Sequence, residues 1–291
     1  MVKKIVTHVP PRHLDDTLAT ALLTQKYPDA EVEFVHPQDE EKLSLYREDS
    51  KVILVDVGGS YDPDRKNYDH HQDLELPCSL VLVLKNEFPE LYEAVRKDSV
   101  LSRELEYIDV KDRKGFKAAS EELKMSFPVL LESLVNEAGR DVQGIKTVGK
   151  ALYGYLEKKR ELYQKLDNVK VEEIGGLKVA FDPYPLPAGE VFRHTQAVLL
   201  IQRNSMNPNQ TSVIKNTSDP VGKLLCLESL KEEFPVTFLH KAGFLAVIDE
   251  SFEEVGKDVG RIVDAVAEGF IRKITGEKQQ RQNINSYDLG R

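Results

Sequence analysis

Hard metal ligands crowd into the first 71 residues of the chain. His8, His13, Asp15 and Asp16 lie in THVPPRHLDD, Asp56 closes KVILVD, and Asp69, His70 and His71 follow Tyr68. Imidazole and carboxylate together suit divalent first-row metals such as manganese. A carboxylate can bridge two cations, and two cations about 3.5–4 Å apart stabilise both the attacking and the leaving oxygen of an in-line displacement. The chemistry implied is metal-assisted hydrolysis of a phosphoester. Each feature alone has a plainer reading. A lone His, such as His36 or His194, is a surface or satisfied core residue. An Asp before a helix is a cap, and Asp16 is assigned that role. Asp56 alone could open a turn. The combination, in this order and at the ends of these elements, is what points to a metal centre.

Ligands so far apart in sequence need a scaffold that brings them together. Lys4–Thr7 reads as a short strand ending at His8, Leu14–Tyr27 as a helix closed by Pro28, and Glu31–Val35 as a strand. Pro37–Arg47 reads as a polar helix, and the β-branched run Lys51–Val57 as a strand buried on both faces and stopped by Gly58-Gly59. This β-α-β-α-β alternation predicts a parallel sheet with helices on both sides. Ligands of such a sheet gather at the carboxyl ends of its strands. Ser79–Glu87, Leu91–Ile108, Ala118–Asn136 and Gly144–Leu166 read as a long helical stretch. From Asn168 the texture turns to strands: Val169–Ile174, Leu177–Phe181, Ala197–Gln202, Thr211–Lys215, and Thr237–His240 with Phe244–Val247 around Lys241-Ala242-Gly243. Val255–Lys273 reads as a helix and 276–291 as a frayed polar tail. The predicted domains are 1–167 and 168–291.

Bulk properties set the outer limits. At 291 residues with 41% apolar and 31% charged content, the chain is a globular protein with a sizeable core. Two cysteines, Cys78 and Cys226, form no zinc motif or disulfide framework, and no segment reads as a signal peptide or membrane span. A cytoplasmic location and no membrane partner are expected. The net charge of −9 disfavours tight nonspecific binding to long duplexes, which relies on basic patches. No GxSxG-type nucleophile motif occurs.

The segments THVPPRHLDDTLATALL, VILVDVGGSYDPDRKNYDHHQ, EYIDVKDRKG and FLHKAGFLAV resemble the DHH phosphoesterase superfamily, and within it the melanocyte-proliferating-gene family of metal-dependent 3′–5′ exoribonucleases. The resemblance covers most of the chain and is densest over residues 5–72. It implies two divalent metal ions, manganese with magnesium as the alternative. His8 and His13 would hold the first, Asp15 and His70 the second, and Asp56 would bridge. His71 would contact the scissile phosphate. Either Asp109 or Asp112 supplies the fourth-motif ligand. Arg113 and Lys114 stand where the family tends to have Asp-Asn before Gly115, and are candidates to touch substrate phosphate. His240, Lys241 and Gly243 occupy the place of a glycine-rich substrate loop, with a plain Gly hairpin as the other reading.

The expectation is an α/β protein: a parallel-sheet DHH phosphoesterase domain, a second, smaller α/β domain and a cleft between them. It is a hydrolase of short single-stranded RNA or oligonucleotides. The alternatives are a small phosphoanhydride or cyclic-dinucleotide hydrolase, or a non-catalytic interaction protein; homo-oligomers are left open. Metal–ligand bonds are only about 2 Å long, so Asp56 is expected within about 8 Å of His8 or His70.

Overall fold

The computed structural model describes residues 1–10, 13–73, 75–123, 129–139 and 141–268. The chain divides into two compact units between Tyr163 and Gln164. No helix among the described residues is long and apolar enough to cross a membrane.

The first unit opens with β1 (Lys4–His8), α1 (Leu14–Lys26), β2 (Glu31–Val35), α2 (Glu40–Glu48) and β3 (Val52–Val55). The short strands β4 (Tyr61–Asp62) and β5 (Asn67–Tyr68) follow. These make one sheet of order β2-β1-β3-β5-β4, parallel except for the β4 edge. Its register positions the chemistry. Thr7 pairs with Val55, and Val55 pairs with Tyr68. The next residue on each chain therefore leaves the same edge: His8, Asp56 and Asp69.

Strand alternation sorts the apolar residues onto two faces. Ile5, Ile53, Val55 and Tyr68 belong to the larger core, with Leu18, Leu22 and Leu23 of α1. Val6, Val52 and Leu54 face Leu43 of α2. The helices α3 (Ser79–Glu87), α4 (Pro89–Lys97), α5 (Ser99–Lys114), α6 (Phe116–Leu123), α7 (Val129–Ala138) and α8 (Val142–Leu166) follow. Helix α1 is buried from Leu14 to Thr24. One reason is Gly149 of α8: a Cβ there would lie 2.2 Å from the Ala21 carbonyl oxygen, so only glycine allows this approach.

The second unit carries β6 (Lys170–Ile174), β7 (Leu177–Asp182), α9 (Ala188–Thr195), β8 (Leu199–Arg203), β9 (Thr211–Lys215), α10 (Pro220–Leu224), α11 (Leu230–Glu233), β10 (Val236–Leu239), β11 (Leu245–Ile248) and α12 (Phe252–Val255). The sheet order is β10-β11-β9-β8-β7-β6, antiparallel except for the parallel pair β7–β8. A parallel pair needs a crossover, which α9 provides.

Several expected elements differ. The polar helix starts at Glu40, not Pro37, because the Asp39 carboxylate caps it by accepting from Lys42 N–H. The 51–57 strand stops at Val55 because Asp56 turns left-handed, at φ 59°. The stretch expected over 91–108 is two helices, broken where Asp98 caps α5 through the N–H groups of Val100 and Leu101. Helix α9 and the two-residue strands β4 and β5 were not expected. The 255–273 helix is α12 followed by a helix over 259–268, and the 276–291 tail lies outside the described residues.

A buried ion cluster ties the sheet to its helices. The Glu87 side chain is 2% exposed, with Lys26 Nζ at 2.7 Å and Lys66 Nζ at 2.5 Å. The hydroxyls of Tyr27 and Tyr68 donate to it at 2.7 and 2.8 Å. Burial pushes the Glu87 carboxyl up, but the two ammonium groups and two hydroxyls outweigh burial and bring it down to about 2, against an ordinary 4.5. A carboxyl depressed in the folded state adds stability above its unfolded pKa, and that stability is lost as pH falls through the folded value. At neutral pH it is on the order of 3 kcal/mol. Glu87→Gln should therefore lower the thermal midpoint at pH 7 and narrow the gap to wild type between about pH 4.5 and 2. Midpoints followed across that range, with a gap that stays constant, would show that the cluster is not the source.

Candidate metal centre

Four chain segments converge at the carboxyl edge of the first sheet. His8 Nε2 lies 3.3 Å from Asp56 Oδ2 and 3.6 Å from Asp16 Oδ2. His70 Nε2 lies 3.2 Å from Asp56 Oδ1 and 3.0 Å from Asp112 Oδ2. His13 Nδ1 lies 3.1 Å from Asp112 Oδ1. The expected distance from Asp56 to His8 and His70 is met. Helix α1 delivers Asp15, α5 delivers Asp112, and β3 ends on Asp56. Asp tolerates the left-handed backbone of Asp56 better than most residues, because its short polar side chain can bond locally. The chain then needs Gly58 and Gly59, both at positive φ, to turn away.

Three overlapping groups offer ligand atoms within 4.8 Å of one another: His8, His13 and Asp56; Asp56, His70 and His71; and His13, Asp15 and Asp112. Asp56 belongs to two groups and His13 to two, so the groups form one connected array. Buried polar atoms test whether a cation fits. Both carboxylate oxygens of Asp15 are buried without a hydrogen-bond partner, while Asp56 Oδ2 and His70 Nε2 face other ionisable groups of the array. An unpaired buried carboxylate is costly, and coordination to a metal is one of the few ways to satisfy it. The oxygen and nitrogen donors fit a divalent cation.

The electrostatics agree with that fit. Burial, reinforced by the Asp56 and Asp112 charges, pushes the Asp15 carboxyl well above its ordinary range. Burial also opposes ionisation of Asp56, but His70 and His8 overcome it and hold Asp56 below the ordinary range. Asp112 is likewise buried yet held low by His13 and His70. Burial disfavours the imidazoliums of His8 and His70, but the facing carboxylates raise them to about 9 and about 10. A cation and these protons compete for the same lone pairs, so divalent binding weakens at lower pH.

His71 differs from its neighbour. Its side chain is 57% exposed, against 6% for His70. Asp69 holds it: Asp69 Oδ1 lies 2.7 Å from His71 Nδ1 and accepts the His71 N–H, while Oδ2 accepts the Gly59 N–H at 2.6 Å. A cavity of about 520 Å3 opens over His8, His13, Asp56 and His71, with Gly58 and Gly59 on its wall.

The remaining expected residues divide. Asp109 is not with the cluster. It accepts from Cys78 N–H at 2.6 Å and pairs with Arg113 on the next helical turn. Lys114 pairs with Glu122, so the expected phosphate contacts of Arg113 and Lys114 are engaged by carboxylates here. In the second unit, His240 and Gly243 form the turn between β10 and β11. Gly243 N–H donates to the His240 carbonyl at 2.7 Å, Gly243 has φ 65°, and Lys241 is exposed between them. This is the Gly hairpin. Asp16 is not the cap of α1: His13 holds that position, and Asp16 is buried in the first turn, accepting from Thr7 Oγ1 at 3.2 Å. Asp16 and Asp69 belong to the clusters read from the sequence but had no assigned contact there, and Ser79 had no expected part: its hydroxyl sits 3.0 Å from Asp56 Oδ1 and 2.8 Å from the Tyr68 carbonyl. The Asp-x-His spacing of Asp69 and His71 was a legible signal, whereas nothing in the sequence marked Ser79.

Residues 4–75 match the family model MYG1_exonuc, described as Uncharacterised protein family (UPF0160). "MYG1 exonuclease" of Homo sapiens is 49% identical over 71 residues, and that of Bos taurus is 46% identical over 69. Each alignment takes in 24% of this chain and 17% of the relative's length. Among solved structures, a pGpG-specific phosphodiesterase, PggH from Vibrio cholerae, overlays with a TM-score of 0.29 at 14% identity, covering 92% of this chain and 98% of that one. RecJ from Thermus thermophilus, solved with Mn2+, overlays with a TM-score of 0.25 at 15% identity, covering 93% of this chain and 52% of that one. Overlays this loose do not establish a shared fold.

Asp56→Asn keeps the left-handed backbone and side-chain volume but removes the shared charge. Saturating manganese should raise the thermal midpoint of the wild type by on the order of 5 °C and that of the variant by far less. An equal rise in both proteins would remove Asp56 from the centre.

Proposed function

We propose that this chain is a metal-dependent phosphodiesterase that hydrolyses short single-stranded RNA or oligonucleotides, acting as a 3′–5′ exoribonuclease of the DHH type. The observation that carries the reading is the array of three ligand groups connected through Asp56 and His13. The similarity of residues 4–75 to relatives named as exonucleases supports it. His8 and His13 would hold one divalent cation, manganese in the first instance; Asp15, Asp112 and His70 would hold a second, and Asp56 would contribute to both. When bound, the pair supplies Lewis acidity that lowers the pKa of water and positive charge at the transferring phosphoryl group.

The chain's own residues do the rest. Ser79 and the imidazoles of His8 and His70 orient Asp56. Asp69 and its bond to Gly59 N–H fix the His71 ring at the mouth of the cavity. Asp69 also stabilises the His71 imidazolium, raising its pKa. In that form His71 can donate from Nε2 to a phosphate oxygen, and so neutralise charge that develops in the transition state. The chemistry belongs to the first unit. An acidic chain disfavours tracking along a duplex, which leaves strand ends as the substrate. The two cysteines are both free, in keeping with a cytoplasmic setting.

The test compares a labelled oligoribonucleotide, the same strand in a blunt duplex, pyrophosphate and a cyclic dinucleotide, each with and without manganese. The single strand should be shortened stepwise from its 3′ end only with metal, and Asp56→Asn should slow this by about a hundredfold or more. Preference for pyrophosphate or the cyclic dinucleotide would replace the nuclease reading with a small-phosphate hydrolase. No turnover of any substrate would leave a metal-binding interaction protein.

A further inference from the structure

Two cavities share His13. The one over His71 is lined by His8, Asp56 and Asp69, by the apolar Val9, Pro10, Pro37 and Val57, and by the Gly58-Gly59 turn. The other encloses about 360 Å3. Its lining includes His13, Asp15 and Asp112, the third of the ligand groups. Leu14, Ile108 and Phe116 give the same lining its apolar part. Asp15 is 0% exposed, with neither carboxylate oxygen hydrogen-bonded. An unsatisfied buried acid and an apolar lining therefore meet in one small space, within the range that small-molecule sites occupy.

Phe116 is the aromatic carbocycle of that lining. It is 56% exposed, although it is a large aromatic residue beside a core containing Tyr107, Val110 and Ala119. Gly115, at φ 86°, ends α5 and turns the chain so that Phe116 begins α6 against the cavity. Lys111, one turn earlier on α5, adds a cation to the same rim.

We propose that this cavity takes the nucleobase of the terminal nucleotide, with Phe116 as the face on which the base stacks. The inference rests on the phosphodiesterase reading above. A phosphodiester held at the array has two ester arms. Both cavities beside the array have apolar lining, and the smaller one offers the ring of Phe116 beside His13, Asp15 and Asp112. A base joined through its ribose to that phosphate has the matching shape: flat, apolar on its faces and tethered to an anion. Stacking tolerates any base, because every base has a π-face. That suits an enzyme removing successive nucleotides of mixed sequence. The chain has no tryptophan, so stacking falls to Phe, Tyr or His.

The test uses two oligoribonucleotides that differ only at the cleaved end, one ordinary and one ending in an abasic ribose, with manganese. In the wild type, the abasic end should raise KM about tenfold or more, with kcat within about threefold. Phe116→Ala should raise KM for the ordinary end to the abasic value, so that the two substrates are no longer distinguished. Phe116→Trp should restore the distinction. Equal KM for both substrates in the wild type, or wild-type discrimination kept by Phe116→Ala, overturns the base site and leaves the phosphodiesterase reading standing. Cleavage of neither substrate by the wild type removes both.

Discussion

Four aspartates, Asp15, Asp16, Asp56 and Asp112, crowd the carboxyl edge of one small sheet, and the three most enclosed are at most 2% exposed. Like charges packed this closely, away from water, repel strongly and lose hydration. The structure answers with imidazoles. His8 and His70 each sit between two carboxylates, and His13 reaches across to Asp112. Two acids are held ionised by those rings, and one, Asp15, is driven strongly toward its neutral form. Divalent cations would serve the same need better, because one ion can meet several carboxylates at once.

Everything around the array keeps those charges in place. The parallel register brings the ends of β1, β3 and β5 side by side, and Asp56 accepts a left-handed backbone to aim its carboxylate inward. Helix α1 carries Asp15 and Asp16 in its first turn, and the close approach of α8 at Gly149 fixes its position. The Glu87 cluster binds α1, β5 and α3 to one another beneath the site. Asp109 fastens α5 to the start of α3 through Cys78 N–H. Asp112, three residues along the same helix, is thereby turned toward His13 and His70.

The strand-end positions of His8, Asp56 and His70 were legible because parallel strands alternate with helices in the sequence and such sheets gather their sites at one edge. His8, Asp56 and His70 needed only that rule. Asp109 and Asp112 could not be separated, because the rotation of α5 is a tertiary property and both positions occupy neighbouring turns. The cap expected at Asp16 fails for a related reason: local capping preference favours Asp near a helix start, but burial against Thr7 and His8 decided its place. Helix α9 was hidden in a short Pro- and Gly-flanked segment, and β4 and β5 are too short to show a period. Phe116 gave no signal at all, since a single aromatic after a glycine acquires meaning only from the cavity it faces.

The central claim is that the carboxylates around Asp56 are arranged to share a pair of divalent cations. Anomalous diffraction from crystals of the protein equilibrated with manganese tests it most directly. The account predicts two peaks about 3.5–4 Å apart, both within bonding distance of Asp56, with His8 and His13 on one and His70 on the other. A single peak that leaves Asp56 uncoordinated, or no peak at the array, would contradict it.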